Sequence, residues 1–357
     1  LVAGVRMRAP MMKIHTVAAG GGSILSFDGA RFRVGPESAG ANPGPACYRR
    51  GGPLCVTDAN VMVGKIQPAF FPKVFGPNGD QPLDADVVRA KFQALADEVT
   101  KATGERRTPE EIADGFLKIA VENMANAIKQ ISVQRGFDVT EYVLCTFGGA
   151  GGQHACRVAD ALGMTTVFVH PLAGVLSAYG MGLADLRVMR EKAVEAVLDD
   201  ALMPALEADL AALARDGMDE MRRQGIPDDH IEVQRKLHLK YEGTDSTLVV
   251  DHGTCAEVEE AFATAHRQRY GFVMPGKRII VEAVAVEVVG RTETANDPVL
   301  PLAKETEPPA PHARVAMYAE GKSHDTPVYD RDGLKPGMIV TGPAIIAEKN
   351  ATTIVEP

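Results

Sequence analysis

The chain has 357 residues, of which 45% are hydrophobic and 24% charged, an ordinary globular balance with room for two domains. Its formal net charge of -9 argues against a nucleic-acid partner, since no basic surplus exists to neutralise phosphates. No run reaches the ~20 apolar residues of a membrane span. The five cysteines, Cys47, Cys55, Cys145, Cys156 and Cys255, form no CxxC pair, so they read as reduced thiols of a cytoplasmic protein.

The opening LVAGVRMRAPMMKIHTVAAG is mildly apolar, carries Arg and Lys, and does not fit a signal peptide. It has no initiator Met and starts as if within a strand, so the chain is expected to be a piece of a longer protein. GGGS at 20–23 predicts a loop, and FDGARFRV at 27–34 a hairpin with Asp-Gly as a two-residue turn. GPESAGANPGPACYRRGGP follows at 35–53. Five Gly and four Pro in 19 residues exclude a regular element, while Cys47, Tyr48, Arg49 and Arg50 favour an ordered loop over a linker.

Two helices come next. Asp84 opens one over 84–104. Thr108-Pro109-Glu110-Glu111 opens another over 108–134, with Thr at the cap, Pro in the first turn and Glu at the third position. Ile112, Phe116, Ile119, Ala120, Met124, Ala127 and Ile131 mark its apolar face, and Gly136 closes it. YVLCTF (142–147) then predicts a buried strand, GGAGGQ a turn, HACRVADALG (154–163) a helix and TTVFVH (165–170) a second strand. This is an α/β unit of a parallel sheet, in which ligands sit at the carboxyl ends of strands. Beyond about 190 the pattern changes to a long helix at 197–224, alternating strands in VQRKLHLKY and STLVVD, a helix at 255–271 and a long strand, IIVEAVAVEVVG. The segment 292–313 reads as an exposed connection, and short strands close the chain. A domain boundary is placed near 190, giving domains 1–190 and 191–357.

Four glycines fall between Gly148 and Gly152. A glycine turn between strand and helix leaves backbone N–H groups for an anion or a flat ring, and a Cβ would block that approach. The turn has neither the Lys-Ser/Thr pair of a P-loop nor a dinucleotide spacing. A tight turn without ligand is the alternative. Gly20, Gly21, Gly22 and Ser23 form a second such loop. His154 stands where it could donate to a phosphate or fill a cap position. Were His15, Asp58 and His154 to converge, they would make a chemically sensible metal site. His266 and Tyr270 share a helix face and are read as packing. Ser177 lacks the GxSxG frame, and Cys156 lies two residues from His154, a spacing that does not face on a helix. No catalytic residue is assigned.

TVAAGGGSI, VGPESAGANPGPACYRRGGP, VTDANVMVGK, FGGAGGQHAC and GPAIIAEKNATTIVEP, in this order, resemble the hydantoinase A/oxoprolinase family. FFPKVFGPNGDQPLD, Gln153-His154-Ala155-Cys156 and LKYEGTDSTLVV are most similar to its 5-oxoprolinase branch. The resemblance implies an α/β fold: part of an actin-like (ribonuclease H-like) ATPase lobe, then a smaller strand-rich α+β domain. It implies ATP with Mg2+, and often K+, opening 5-oxo-L-proline to L-glutamate through a phosphorylated lactam. Gly148, Gly149, Gly151, Gly152 and Gln153 match an adenosine-side turn, and Gly20 to Ser23 a loop for phosphates or substrate. The implied partners are a small cyclic amide and a hydantoinase B-type half or subunit, in a homo-oligomer. The family's phosphate hairpins are absent from these residues, so the isolated chain is expected to be inactive. A hydantoin-hydrolysing or ketone-carboxylating subunit, and a non-catalytic assembly module, stand as alternatives.

Overall fold

The structure is a computed structural model that describes residues 14–291, 299–304 and 306–357. The chain divides into two compact units. Of the described residues, the larger comprises 15–131, 138–179, 299–304 and 306–357, and the smaller 14, 132–137 and 180–291.

The larger unit begins with a hairpin, β1 (Ser23–Phe27) and β2 (Phe32–Ser38). Phe27 pairs with Phe32, so four residues turn the chain rather than two. Asp28 sets this loop: its Oδ1 accepts from the amides of Ala30 (3.1 Å) and Arg31 (2.8 Å). The Gly/Pro segment is ordered as expected, but β2 runs into it as far as Ser38. Ala46 and Cys47 are buried beyond it. Helix α1 (Val56–Met62) follows, then α2 (Ala85–Thr103), whose cap Asp84 accepts from the amides of Asp86 and Val87. Helix α3 (Pro109–Ile131) starts with the expected capping box: the Glu111 amide donates to Thr108 Oγ1 (3.2 Å) and the Thr108 amide to the Glu111 carboxylate (2.8 Å). It ends at Ile131, and Gly136 instead closes a separate short turn with φ +85°. Val88 and Phe92 of α2 join Ile112, Phe116 and Leu117 of α3 in the main core with Cys47 and Val56. Fully burying each large side chain contributes about 1.5–3 kcal/mol.

Strand β3 (Leu144–Thr146), helix α4 (Ala155–Leu162) and strand β4 (Val167–Val169) form the predicted parallel unit, with Leu144 opposite Val167. The expected burial of β3 does not hold. Cys145 is exposed and Phe147 is 55% exposed, because the described sheet has two strands and α4 covers one side. Helix α5 (Leu176–Leu183) follows.

The smaller unit holds strand β5 (Leu186–Val197), helix α6 (Met203–Arg223), strands β6 (Ile231–Tyr241) and β7 (Leu248–Asp251), helix α7 (Cys255–Tyr270) and strand β8 (Ile279–Gly290). The sheet runs β5-β8-β6-β7 with antiparallel neighbours. The central β8 is buried nearly throughout, with Glu282 and Glu287 the partly exposed breaks in its apolar run. Strand β5 was not anticipated. Its charged residues face outward, and only Val188 is fully buried. His266 is a packing residue as expected, 4.7 Å from the Tyr270 ring and 4.9 Å from Tyr241.

The chain then rejoins the larger unit as β9 (Ala313–Ala319), β10 (Lys322–Asp330), β11 (Ala344–Ala347) and β12 (Thr352–Val355). Their order is β12-β11-β10-β9, with β10 and β11 parallel. Residues from 298 onward therefore belong spatially with the first half rather than with 191–297. Of the predicted connection 292–313, residues 292–298 and 305 lie outside the described residues.

Candidate functional site

Within the larger unit the two glycine turns meet. A cleft of about 620 Å³ is lined by Gly21, Gly22, Gly149, Gln153, Gly174 and Asn350. An adjoining cavity of about 330 Å³ is lined by Gly20, Gly21, Ala150, Gly151 and His154 among others.

The first turn has its carbonyls engaged. Gly20 O accepts from the Ser23 amide (3.0 Å), Gly21 O from the Thr57 amide (2.9 Å) and hydroxyl (3.0 Å), and Gly22 O from the Ala39 amide (2.9 Å). Among the described residues the amides of Gly20, Gly21 and Gly22 donate to no group. Unpartnered N–H groups on a glycine turn suit an anion.

The second turn is built differently. Gly148 has φ +83° and its amide donates to Ala173 O (2.8 Å). A Cβ on Gly149 would lie 2.8 Å from Asn350 O, and one on Gly152 would lie 2.8 Å from Thr352 O. The Thr352 amide donates to Gly149 O (3.3 Å). These glycines let the turn press against the loop between β11 and β12. Close packing of backbone on backbone thus explains half of the glycine run without a ligand, a reason that the sequence did not suggest. Gln153, 4% exposed, accepts from Asn60 Nδ2 at 3.1 Å.

His154 sits at the N-cap position of α4, but its side chain makes no cap bond. Its Nε2 is 3.2 Å from Asn60 Nδ2, and its Nδ1 has no partner. Burial, helped by Lys65 and Arg157, pulls the imidazole pKa down to about 3, so the ring is neutral near pH 7.

The grouping of His15, Asp58 and His154 does not form. His15 is exposed. Asp58 is fully buried and accepts from the amides of Ala46 (2.9 Å), Cys47 (2.8 Å) and Cys55 (2.8 Å), which fixes the Gly/Pro loop to the start of α1. Its lone pairs are taken by backbone, and among the described residues no cluster of three His, Cys, Asp or Glu could hold a metal. Nor do Cys47 and Cys55 offer nucleophiles: both are buried, and burial pushes the Cys55 thiol up to about 12. Cys156 donates weakly to Ile354 O at 3.4 Å, and burial raises its thiol as well.

Sequence reasoning missed a buried ionic chain beside the site. Lys65, 0% exposed, pairs with Glu356; Arg157 Nε reaches the same carboxylate at 3.2 Å and its other nitrogen reaches Asp114 at 2.7 Å; Lys118 meets Asp114 at 3.0 Å. Burial lowers the Lys65 pKa, opposed by Glu356. The available signal was a lysine ending an apolar run, VMVGK, with no exposed face to occupy.

A mixed α/β unit thus sets a parallel strand–glycine turn–helix beside a second glycine turn, at a cleft between them. Family comparison gives it a place. The hydantoinase/oxoprolinase profile matches residues 1–190, and the C-terminal-domain profile of that family matches 199–357. This chain belongs to the hydantoinase/oxoprolinase family. It is 39% identical to 5-oxoprolinase 1 of Arabidopsis thaliana and 36% identical to 5-oxoprolinase of Dictyostelium discoideum, in each case over 100% of the chain. It spans 28–29% of the length of those relatives. The crystal structure of the ATP-dependent caprolactamase from Pseudomonas jessenii is similar, with a TM-score of 0.84 at 29% identity, covering 98% of this chain and 51% of that one.

Proposed function

We infer that this chain is the nucleotide-holding part of an ATP-dependent 5-oxoprolinase, which opens 5-oxo-L-proline to L-glutamate as ATP is hydrolysed. The observation that carries the reading is the meeting of two glycine turns at one cleft, with the amides of Gly20, Gly21 and Gly22 unpartnered among the described residues. Higher identity to 5-oxoprolinases (36–39%) than to the caprolactamase (29%) favours the five-membered lactam. The β3–turn–α4–β4 unit is read as part of an actin-like ATPase lobe, with Gly148 to Gly152 and Gln153 on the adenosine side.

A nucleotide fits these donors: free amides for phosphate, and a glycine backbone that permits close approach. ATP supplies a phosphoryl group to the lactam oxygen, which turns a poor leaving group into a good one. The chain's own part is to hold and orient the reactants and to keep them from water. Among the described residues no cluster of three His, Cys, Asp or Glu offers a seat for Mg2+ or K+. The smaller unit is read as the docking module for a hydantoinase B-type half, within a homo-oligomeric cytoplasmic enzyme. All five cysteines are free, and no described helix is long and apolar enough to cross a membrane.

The test is ADP release by the full-length parent protein with 5-oxo-L-proline, hydantoin or caprolactam, each against no substrate. Stimulation by 5-oxo-L-proline with glutamate formed supports the reading. Stimulation by another compound alone overturns the substrate. The isolated 357 residues are expected to be inactive, and lactam-dependent ADP release from them would refute that expectation.

A further inference from the structure

Strands β11 and β12 are joined by a tight turn, in which the Glu348 amide donates to Ala351 O across the tip and the Ala351 side is fixed from below. Glycine packing sets where that turn sits. The Thr352 amide donates to Gly149 O at 3.3 Å, and a Cβ on Gly149 would lie 2.8 Å from Asn350 O. Gly174 adds a third segment: a Cβ there would lie 2.8 Å from Asn350 Cβ. Backbone packed this closely holds the turn at the cleft of about 620 Å³, which Lys349 lines together with Gly21 and Gly22. Among the described residues that line this cleft, Lys349 is the one lysine or arginine. Its side chain is exposed and makes no hydrogen bond or ion pair with any described residue. Glu348 lines the cleft as well. Burial raises its pKa, and the charge of Arg331 acts the other way. The cleft thus holds an unpaired ammonium beside two backbone amides that donate to no group among the described residues, and both kinds of donor suit an anion.

We propose that Lys349 binds the phosphate tail of the nucleotide together with the amides of Gly21 and Gly22. The proposal rests on the function proposed above and deepens it. Lysine carries a compact charge on a flexible four-carbon stem, so it can follow a phosphate group without a fixed geometry. Charge in a cleft with low-dielectric walls also acts more strongly than charge on an open surface. The carboxylate of 5-oxo-L-proline is the competing anion. The nucleotide is favoured because its several phosphate oxygens can accept from the lysine and from the glycine backbone at once. Gly149 and Gly174 acquire a purpose in this arrangement: their missing side chains let the turn come close enough for Lys349 to face the cleft.

The experiment uses the full-length parent protein. Calorimetry measures the Kd of a non-hydrolysable ATP analogue at low and high salt, and the Kd of 5-oxo-L-proline in its presence. Lys349→Met removes the charge and keeps the length of the side chain. It is expected to weaken analogue binding about tenfold and to flatten the salt dependence of that Kd. Its Tm is expected to stay nearly unchanged, since the side chain it replaces is exposed and unpaired. Lys349→Arg keeps the charge and recovers most of the affinity. Unchanged analogue affinity in Lys349→Met overturns the proposal. If lactam affinity falls there instead, the anion held is the substrate's carboxylate. A loss of analogue affinity that leaves the salt dependence of the unmodified protein also overturns it, because charge is then not what was removed. Failure of the unmodified protein to bind the analogue overturns the nucleotide reading itself, a result separable from any effect of Lys349→Met.

Discussion

Gly20 and Gly149 are the same residue type in one site for different reasons. A Cβ on Gly20 meets nothing within 4 Å, whereas one on Gly149 would lie 2.8 Å from Asn350 O. Gly20→Ala is therefore expected to leave thermal stability nearly unchanged and to weaken nucleotide binding, read by titration of an ATP analogue. Gly149→Ala is expected to lose about 1–3 kcal/mol of stability, as overpacking does, whether or not ligand is present. Equal effects of the two changes on Tm would contradict this division. Lys65 and Glu356 invite a similar comparison. Removing the carboxylate by Glu356→Ala strands a fully buried ammonium and is expected to cost about 3–5 kcal/mol. Lys65→Met replaces that ammonium with a side chain of similar reach and leaves Glu356 its contact with Arg157, so it is expected to cost less. Urea unfolding of the two variants checks the order.

Individual elements were legible where local chemistry decides them. The capping box at Thr108 and the Asp84 cap set both helix starts to within a residue of expectation. The parallel β3–α4–β4 unit could be read from an apolar run, a glycine turn and a helical pattern. Where tertiary partners decide, the reading failed. The burial of β3 depends on neighbours that its own six apolar letters do not specify, and β5 hides among charges because only one of its faces packs. The two glycine turns were visible as candidates, but Asn60, which links Gln153 to His154, carries no local sign of that contact. The ionic chain belongs to this scale as well, since it ties α3 and α4 to the end of β12. Burial opposes ionisation of Asp114, but Arg157 and Lys118 outweigh it and hold the carboxyl below its ordinary value. Such a group stabilises the fold above its unfolded pKa of about 3.9. That contribution is lost as pH falls through the lower folded value. Asp114→Asn is thus expected to cost about 2–4 kcal/mol near pH 7 and to flatten the acid-side decline of Tm, which thermal melts from pH 3 upward would measure.

Across the whole molecule, the boundary read near 190 falls close to the start of the long inserted segment at Gly180, yet the chain is not two halves in series. The larger unit is interrupted by residues 180–297 and completed by 298–357. A chain cut after residue 297 lacks β9 to β12, and so loses Glu356 and the strands behind Met317, Val328 and Ile354. Such a chain is expected to lose cooperative unfolding in the larger unit while keeping the β5-β8-β6-β7 sheet. Hydrogen exchange resolved by peptide would show protection surviving in 186–290 and falling in 85–131.

The pressing of Gly149 and Gly152 against residues 350–353 sets an order of events during synthesis. A ribosome delivers the glycine turn about 200 residues before the loop that shapes it. Until residue 353 has left the exit tunnel, the turn has its bond to Ala173 O but lacks the backbone against which Gly149 and Gly152 pack. The floor of the cleft is therefore among the last features of this chain to mature, although its sequence lies near the middle. Nascent chains arrested before residue 345 should stay open to proteases around 148–153, and those in which residue 353 has cleared the tunnel should be protected there.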